Sequence, residues 1–215
     1  VMQTKRILFK FALQWSLLLS IALLGSSAAL KAQTESVKTG FVNAVYQDAA
    51  GEHRYVVFVP KSYSPEKKYP VILFLHGAGE RGNDGLKQTQ VGLGPIVKQN
   101  EATFPFIVVF PQAENMKESL LAGWLADSDD GQRAIKILDT VMKDYAINPA
   151  QQILTGWSMG GYGAWSQAAA NPQRWSAVAP LAGGGKTEWA AKLKETPIWA
   201  FHGANDRAIL PAESE

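Results

Sequence analysis

The sequence predicts an α/β fold in which helices cover both faces of a mostly parallel sheet. Two continuous apolar runs, at 69–75 and 104–110, are typical of strands buried on both faces. After two leading strands, predicted strands and helices alternate along the chain, which indicates a doubly wound sheet. The 215 residues are 47% hydrophobic and 19% charged, so they are sufficient for one globular domain.

The predicted elements follow one another in the order expected for this class. Two short strands, at 41–47 and 54–60, flank a hairpin loop at 48–52. The stretch 129–145 carries apolar residues at helical spacing, and Asn148-Pro149 ends the connection that follows it. The remaining predicted strands are 152–155, 176–181 and 197–201, and the remaining predicted helices are 159–170 and 186–193.

The first 32 residues have the composition of a secretory signal peptide. The basic pair Lys5-Arg6 precedes an apolar stretch at 7–24, and small residues follow. A membrane anchor is the alternative, but polar groups within the stretch, Lys10 among them, would be costly in hydrocarbon. We therefore predict cleavage after Ala32 (or Ala29), a mature domain at 33–215, a secreted or periplasmic location and no stable membrane association.

Charge and cysteine usage exclude several classes of function. The net charge is +2, but four basic residues precede the first acidic one, and without them the balance turns slightly acidic. A nucleic-acid partner is therefore not expected. The chain has no cysteine, which excludes a disulfide framework, a thiol nucleophile and a thiolate metal site.

Residues 156–160 (Gly-Trp-Ser-Met-Gly) match the G-x-S-x-G motif of a nucleophile elbow. A predicted strand precedes the motif and a predicted helix rich in small residues follows it. The glycines permit a strained strand-to-helix turn that presents the serine hydroxyl above the sheet, at a helix N-terminus that favours developing negative charge. We predict Ser158 to be the nucleophile; the alternative is a serine that only caps the helix.

A second loop is expected to complete the oxyanion hole. The predicted strand 69–75 runs into residues 76–82 (His-Gly-Ala-Gly-Glu-Arg-Gly), a position from which this class of enzyme draws a backbone donor. Met159 would supply one N–H, and Ala78, or adjacent Gly77 or Gly79, the other. His76 is predicted to be a structural residue that holds the loop in place. The charged Glu80, Arg81 and Asp84 either order the loop through ion pairs, touch substrate, or form only a solvated polar turn.

The acid of a catalytic triad is predicted at Asp206, just after the predicted strand 197–201 and a His-Gly turn. Its alternative role is to start a helix or turn. The base should follow the acid in the chain, but none of the nine residues after Asp206 is a histidine. We therefore expect the sequence to be truncated, with the reading frame continuing past Glu215 for about 40–80 residues that supply the histidine. The 215 residues alone are expected to be inactive, because a serine without a base is a weak nucleophile.

Three stretches together resemble the α/β-hydrolase superfamily, and in particular secreted carboxylesterases related to prolyl oligopeptidase, polyhydroxybutyrate depolymerases and feruloyl esterases. They are residues 74–82, 155–165 (Thr-Gly-Trp-Ser-Met-Gly-Gly-Tyr-Gly-Ala-Trp) and 197–206 (Pro-Ile-Trp-Ala-Phe-His-Gly-Ala-Asn-Asp). The resemblance implies an α/β-hydrolase fold, here without its last strand and helix. It also implies Ser158 as nucleophile, Asp206 as acid, and Ala78 with Met159 as oxyanion donors.

The predicted activity is hydrolysis of a small or polymer-linked carboxylic ester through an acyl-enzyme on Ser158, with no metal and no organic cofactor. Trp124 and Trp157 are candidates for the wall of the substrate pocket, or else core aromatics. Two alternatives remain. A serine peptidase of the prolyl oligopeptidase type is disfavoured because the sequence has no propeller-like repeat. A catalytically inactive hydrolase-fold binding protein would expose an apolar sheet edge.

Overall fold

Six strands form one sheet in the part of the chain that the structure describes. The computed structural model describes residues 37–117 and 119–215, and the predicted signal peptide with its cleavage site lies outside this range. In chain order the strands are β1 (Gly40–Asp48), β2 (Gly51–Val59), β3 (Tyr69–Leu75), β4 (Ile107–Pro111), β5 (Ile147–Trp157) and β6 (Ala177–Leu181).

The sheet has the spatial order β1-β2-β4-β3-β5-β6. Strand β2 pairs antiparallel with both β1 and β4, whereas β3–β4, β3–β5 and β5–β6 are parallel. The non-sequential order follows from the crossovers that parallel neighbours require. The prediction of a mostly parallel sheet behind two leading strands is confirmed.

Helices cover both faces of this sheet. Successive side chains of a strand point to opposite faces. On β3, Leu73 packs into a core shared with α2 (Asp129–Asp144) and α3 (Met159–Ala170), while Phe74 packs into a second core under the short α1 (Leu93–Gln99). We call these two sides the α2/α3 face and the α1 face. None of the helices in the described residues is both long and apolar enough to cross a membrane.

The helix α1 is not among the predicted elements, and three predicted elements differ from the structure. The strand predicted at 104–110 begins only at Ile107, because the Phe104 N–H bonds to the Asn100 carbonyl and so belongs to the turn that closes α1. The helix predicted at 186–193 is the 3-10 helix Thr187–Lys192. The strand predicted at 197–201 makes only two isolated parallel bridges to β6, Val178↔Ile198 and Leu181↔Phe201.

The register aligns the ends of the strands on which the predicted site depends. Leu75 at the end of β3 pairs with Gly156 near the end of β5, and Tyr55 in the middle of β2 pairs with Pro111 at the end of β4. The loops after the parallel strands therefore leave from one edge, which we call the carboxyl edge. This is the edge at which open α/β sheets bind their ligands.

Candidate active site

Ser158 lies in the turn between β5 and α3 with a backbone conformation rare for a residue other than glycine. Its φ is 55° and its ψ is −117°, a conformation that costs about 1–3 kcal/mol. The surroundings hold it there: the Ser158 N–H donates to the Leu181 carbonyl at 2.9 Å, and the Ser158 carbonyl accepts from Gly161 N and Tyr162 N. The serine side chain makes no capping hydrogen bond to α3, which does not support the helix-cap alternative.

The two glycines of the motif bring the turn against the end of β3. A Cβ on Gly160 would overlap the Leu75 carbonyl oxygen, and one on Gly156 would lie 2.7 Å from that same oxygen. No larger residue fits at either position without moving the backbone. The elbow and the loop that begins at His76 are therefore direct neighbours.

Both predicted oxyanion donors are the first residues of helical segments. Ala78 begins a 3-10 turn, Ala78–Glu80, and Met159 begins α3. The first N–H groups of a helix have no acceptor within that helix, so these two remain available to a ligand. The Gly77 N–H, an alternative donor, lies near the Glu80 carboxylate and partly offsets the rise of the Glu80 pKa that burial causes.

His76 fixes the orientation of the loop that carries Ala78. Its ring is fully buried; Nε2 accepts the Ala113 N–H at 3.0 Å, and Nδ1 lies 2.6 Å from the Gly77 carbonyl. Since an amide N–H can only donate and a carbonyl can only accept, Nδ1 carries the proton and the ring is neutral. Burial, the largest effect, lowers the His76 pKa to about 4. Because the peptide is trans, holding the Gly77 carbonyl points the Ala78 N–H the opposite way.

The two candidate tryptophans occupy different positions. Trp124 is 0% exposed and lies in the core, where its Nε1–H donates to the His76 carbonyl at 2.9 Å. It supports the loop from below and does not form a surface of the site, which corrects the expectation of a pocket wall. Trp157 is 36% exposed, and its indole lies so close to Gly77 that a Cβ there would be 2.9 Å away. Trp157 alone of the two reaches solvent beside the nucleophile.

The charged residues of the loop order it. Arg81 is 8% exposed, and its Nε–H donates to the Ala78 carbonyl at 3.1 Å. Asp84 Oδ1 accepts the N–H groups of Leu86 and Lys87 at 2.8 and 3.1 Å, and these bonds lower the Asp84 pKa to about 2. The structure thus favours the ordering role over substrate contact for Arg81.

Asp206 follows the segment that bridges to β6, on the carboxyl edge. Its Oδ1 accepts from Ala208 N at 2.9 Å and from Ile209 N at 3.1 Å. The backbone N–H groups of Ile209 and Ala208, and then the His202 ring, lower the Asp206 pKa, so the carboxylate is ionised near neutrality. An ionised carboxylate held by its own turn has the chemistry needed to orient an imidazole.

Neither His76 nor His202 is free to act as a base toward Ser158. The His202 ring contacts the Ser214 hydroxyl through Nδ1 at 2.6 Å and the Ile209 carbonyl through Nε2 at 2.9 Å. Its Nε2 also lies 3.7 Å from Asp206 Oδ2. In each ring both nitrogens therefore contact groups that hold the histidine's own loop in place, so neither nitrogen is available to accept a proton from Ser158.

The third histidine, His53, belongs to a buried charge cluster that the sequence did not indicate. It is 4% exposed, with Nε2 3.0 Å from Asp48 Oδ1 and Nδ1 3.1 Å from Glu114 Oε1, the latter without hydrogen-bond geometry. The hydrogen bond from His53 is the main reason that the Asp48 pKa falls to about 2. Arg133 contacts Asp48 and Asp130. The cluster joins the β1–β2 hairpin to the loop after β4. It could not be predicted from a local motif, because these segments lie far apart in the chain.

Among residues 37–117 and 119–215, no group of three or more His, Asp and Glu side chains is arranged to hold a metal ion. The Ser158 hydroxyl, the N–H groups of Ala78 and Met159, and the Asp206 carboxylate all lie on segments that follow the strands at the carboxyl edge. This set is suited to acyl transfer at a carbonyl.

Comparison with known proteins gives a consistent result. A family model described as “Putative esterase” matches residues 48–208. A bifunctional acetylxylan esterase/xylanase of Neocallimastix patriciarum is 29% identical over 157 residues, which cover 71% of this chain and 21% of that protein. A probable feruloyl esterase C of Aspergillus flavus is 27% identical over 175 residues, 79% of this chain and 60% of that protein.

A solved structure of a thermostable esterase is similar in both sequence and fold. It is 30% identical, with a TM-score of 0.71, over 80% of this chain and 49% of that protein. The chain thus spans about half of that structure and 60% of the feruloyl esterase. The fold is that of α/β-hydrolase esterases, as the sequence predicts.

Proposed function

Because this chain belongs to the esterase family whose model it matches over residues 48–208, we propose that it hydrolyses carboxylic esters through an acyl-enzyme on Ser158. The observation that carries the proposal is the backbone of Ser158. A non-glycine residue is held at φ 55° between a strand and a helix, and its hydroxyl does not cap that helix. Such strain persists where the surrounding structure enforces it, and active sites are where it concentrates.

The proposed reaction has two acyl-transfer steps. Ser158 Oγ attacks the ester carbonyl and gives its proton to an imidazole base, and the resulting oxyanion is stabilised by the N–H groups of Ala78 and Met159. The protonated base then donates to the leaving alcohol. Water, deprotonated by the same base, attacks the acyl-enzyme and releases the acid. Asp206 orients the imidazole and stabilises its positive charge.

None of the three described histidines is proposed as that base. His76 is buried and neutral, with both nitrogens bonded within its own loop. His202 is bonded to Ser214 and Ile209, and His53 lies between two carboxylates. We propose that an imidazole other than these three completes the triad, and that residues 1–215 by themselves hydrolyse esters poorly.

The proposed substrate class is an acyl group esterified to a carbohydrate. Two relatives are named for acetylxylan and feruloyl esters. The half-exposed indole of Trp157 beside Ser158 offers an apolar surface for the acyl group.

We also propose that the protein is exported after cleavage of residues 1–32. N-terminal sequencing of protein recovered from outside the cell tests this, since an intact N-terminus on the exported protein would contradict cleavage.

The substitution Ser158→Ala, made in protein produced from the full open reading frame, tests the nucleophile. Hydrolysis of p-nitrophenyl acetate should fall at least about 1,000-fold, because the attacking oxygen is removed while binding is kept. A fluorophosphonate probe should label the wild-type protein at Ser158 and should not label the variant.

A matched control is available at Ser119, an exposed serine in the loop after β4. Ser119→Ala should hydrolyse the same ester at the wild-type rate. If Ser158→Ala keeps the wild-type rate, or if the probe attaches to another serine, the assignment of the nucleophile is wrong.

A further inference from the structure

A small pocket lies on the carboxyl edge of the sheet, apart from the proposed nucleophile, and the mechanism above does not use it. It is formed by the middle of the β1–β2 hairpin and by the loop that follows the oxyanion turn. Its volume is about 240 Å³. The side chains that give it its chemistry are Asn43, Val45, Arg54, Asp84 and Leu86, and we call it the hairpin pocket.

The loop side of the hairpin pocket is rigid without a ligand. Gln112 holds the loop at two points: its Nε2 donates to the Glu80 carbonyl at 3.0 Å and to Asp84 Oδ1 at 3.1 Å, and its Oε1 accepts Gly85 N at 2.8 Å. Gly85 has a φ of 70° and lies against the stem of Arg54, where a Cβ would be 3.0 Å from the arginine Cβ. A ligand therefore meets a formed site and does not have to order it.

The polar groups of the pocket form a donor and acceptor set. Within the described residues, Arg54 has no carboxylate within ion-pair distance, whereas Arg133 and Arg174 each do. Its guanidinium brings N–H donors to the pocket, and Asn43 brings both a donor and an acceptor. Asp84 brings an ionised carboxylate that two backbone N–H groups fix in place.

The ligand class follows from this set. Asp84 Oδ2 lies 3.5 Å from Lys87 Nζ, so its charge is already balanced by a cation and it serves the pocket as a fixed hydrogen-bond acceptor. A fixed donor beside a fixed acceptor suits neighbouring hydroxyl groups, each of which both donates and accepts. Val45 and Leu86 are 52% and 53% exposed and offer aliphatic surface to the C–H groups of the same ligand. A sugar ring combines these two kinds of surface.

The position of the pocket relates it to the proposed nucleophile. Tyr55 pairs with Pro111, and the ladders through β4 and β3 bring Gly156 to the same level as that pair. Arg54 therefore lies at the level of Trp157, the residue before Ser158. Strand order separates them by three inter-strand steps, about 14 Å. By the alternation along β2 and β5, both side chains lie on the α1 face.

We propose that the hairpin pocket binds a sugar unit of a carbohydrate-linked ester, a few units away from the bond that is cleaved. The inference rests on the proposed function and adds a recognition site for the part of the substrate remote from the acyl group. The oxyanion loop lies between the pocket and Trp157, so one oligosaccharide chain would cross the edge of the sheet from the hairpin to the serine.

The experiment compares two substrates that carry the same acyl group. For protein from the full open reading frame, kcat/KM is measured on an acetylated xylo-oligosaccharide and on p-nitrophenyl acetate. The substitution Arg54→Ala should lower the ratio of the first to the second by about tenfold, because hydrogen bonds from a charged donor are lost. Arg54→Lys, which keeps the charge but loses the planar fork, should lower it less.

The matched control is Lys143→Ala, which removes an exposed cation from the last turn of α2 and should leave the ratio unchanged. An unchanged ratio in Arg54→Ala would overturn the sugar site while ester hydrolysis itself stands. If the wild-type protein fails to hydrolyse p-nitrophenyl acetate, the proposed function fails instead. Calorimetric titration with unacetylated xylohexaose then decides the pocket: Arg54→Ala should weaken binding about tenfold, and equal binding by both proteins would refute it.

Discussion

The dipeptide His-Gly occurs twice on the carboxyl edge, at His76-Gly77 and His202-Gly203, in two opposite settings. The His76 ring is fully buried and bonded to Gly77 and to Ala113, which comes from the loop after another strand. The His202 side chain is 8% exposed and bonded to Ile209 and Ser214, both from the segment that follows it. The first histidine is fixed by the assembled sheet and the second by its own segment.

The two His-Gly turns therefore have different structural roles, although their sequences are alike. The first turn sets the direction of a backbone N–H before any substrate arrives, and such preorganised donors are effective because they need no rearrangement during the reaction. The second turn holds a loop that carries a carboxylate. The position of this carboxylate depends only on nearby residues, since Asp206 Oδ1 accepts both of its backbone hydrogen bonds from the next three residues.

The largest expected effect concerns the carboxylate of the second turn. Asp206→Asn keeps an oxygen that accepts from Ala208 and Ile209, so the turn should fold, but the negative charge toward the imidazole is lost. We expect kcat on p-nitrophenyl acetate to fall about 1,000- to 10,000-fold. Asp84→Asn is the matched variant in the first turn, with the same pair of backbone bonds, and should cost at most about tenfold. Equal losses would show that Asp206 is structural.

The next effect is on stability and tests how strongly His76 is buried. Its pKa is about 4 in the folded protein against 6.5 for the free side chain, so below pH 6.5 the unfolded chain takes up a proton that the folded protein does not. The free energy of unfolding should therefore fall by about 3 kcal/mol as the pH drops from 6.5 to 4. Urea unfolding across this range measures it.

The variant His76→Gln has no imidazole at this position. Between pH 6.5 and 4 its free energy of unfolding should therefore fall by about 3 kcal/mol less than that of the wild-type protein, although it is less stable at neutral pH. His202→Gln, the corresponding change in the second turn, should retain the decline that His76 causes. Identical pH slopes in the wild-type protein and in His76→Gln would mean that His76 titrates normally and that the contrast between the two turns is absent.

The smallest effect concerns the glycines of the two turns. A Cβ on Gly77 would meet the Trp157 ring at 2.9 and 3.0 Å and Glu80 Oε2 at 3.1 Å, while one on Gly203 would meet nothing within 4 Å. Gly77→Ala should destabilise the protein by about 1–3 kcal/mol, and Gly203→Ala should change its stability by less than about 0.5 kcal/mol. Thermal melting measures both. Gly79→Ala, also in open space, is the control within the first turn, and a loss there as large as for Gly77 would disprove the steric cause.

Much of the fold could be predicted from the sequence because its strongest signals are local. The buried strand β3 is a continuous apolar run, and the elbow combines a strand, a five-residue motif and a helix. The helix α1 was missed because it has only seven residues, with a glycine and a proline in its first turn. The segment at 197–201 was assigned from its apolar residues, yet Trp199 is 72% exposed and the segment pairs through two bridges only.

The candidate site could be predicted only in part, because burial and long-range contacts leave no local pattern. The sequence shows that Trp124 is aromatic, but only the packing of α2 and α3 puts it beneath His76. The link from His76 to Ala113 joins residues 37 positions apart, and the contact of His53 with Glu114 joins the hairpin to the loop after β4. The hairpin pocket depends on the register of β1 with β2 and on a loop about 30 residues downstream.

The strand pairing has a consequence for the order in which the molecule assembles. The β1–β2 hairpin closes over two residues, whereas β3 pairs with β5 across about 80 residues of chain. Hairpins form within microseconds, and non-local parallel pairings form much more slowly. The turn that holds Ser158 depends on two strands remote in the chain: the Ser158 N–H donates to Leu181 on β6, and the flanking Gly156 and Gly160 lie against Leu75 on β3. We therefore expect Ser158, the proposed nucleophile, to reach its final backbone conformation late in folding, after the parallel strands have paired.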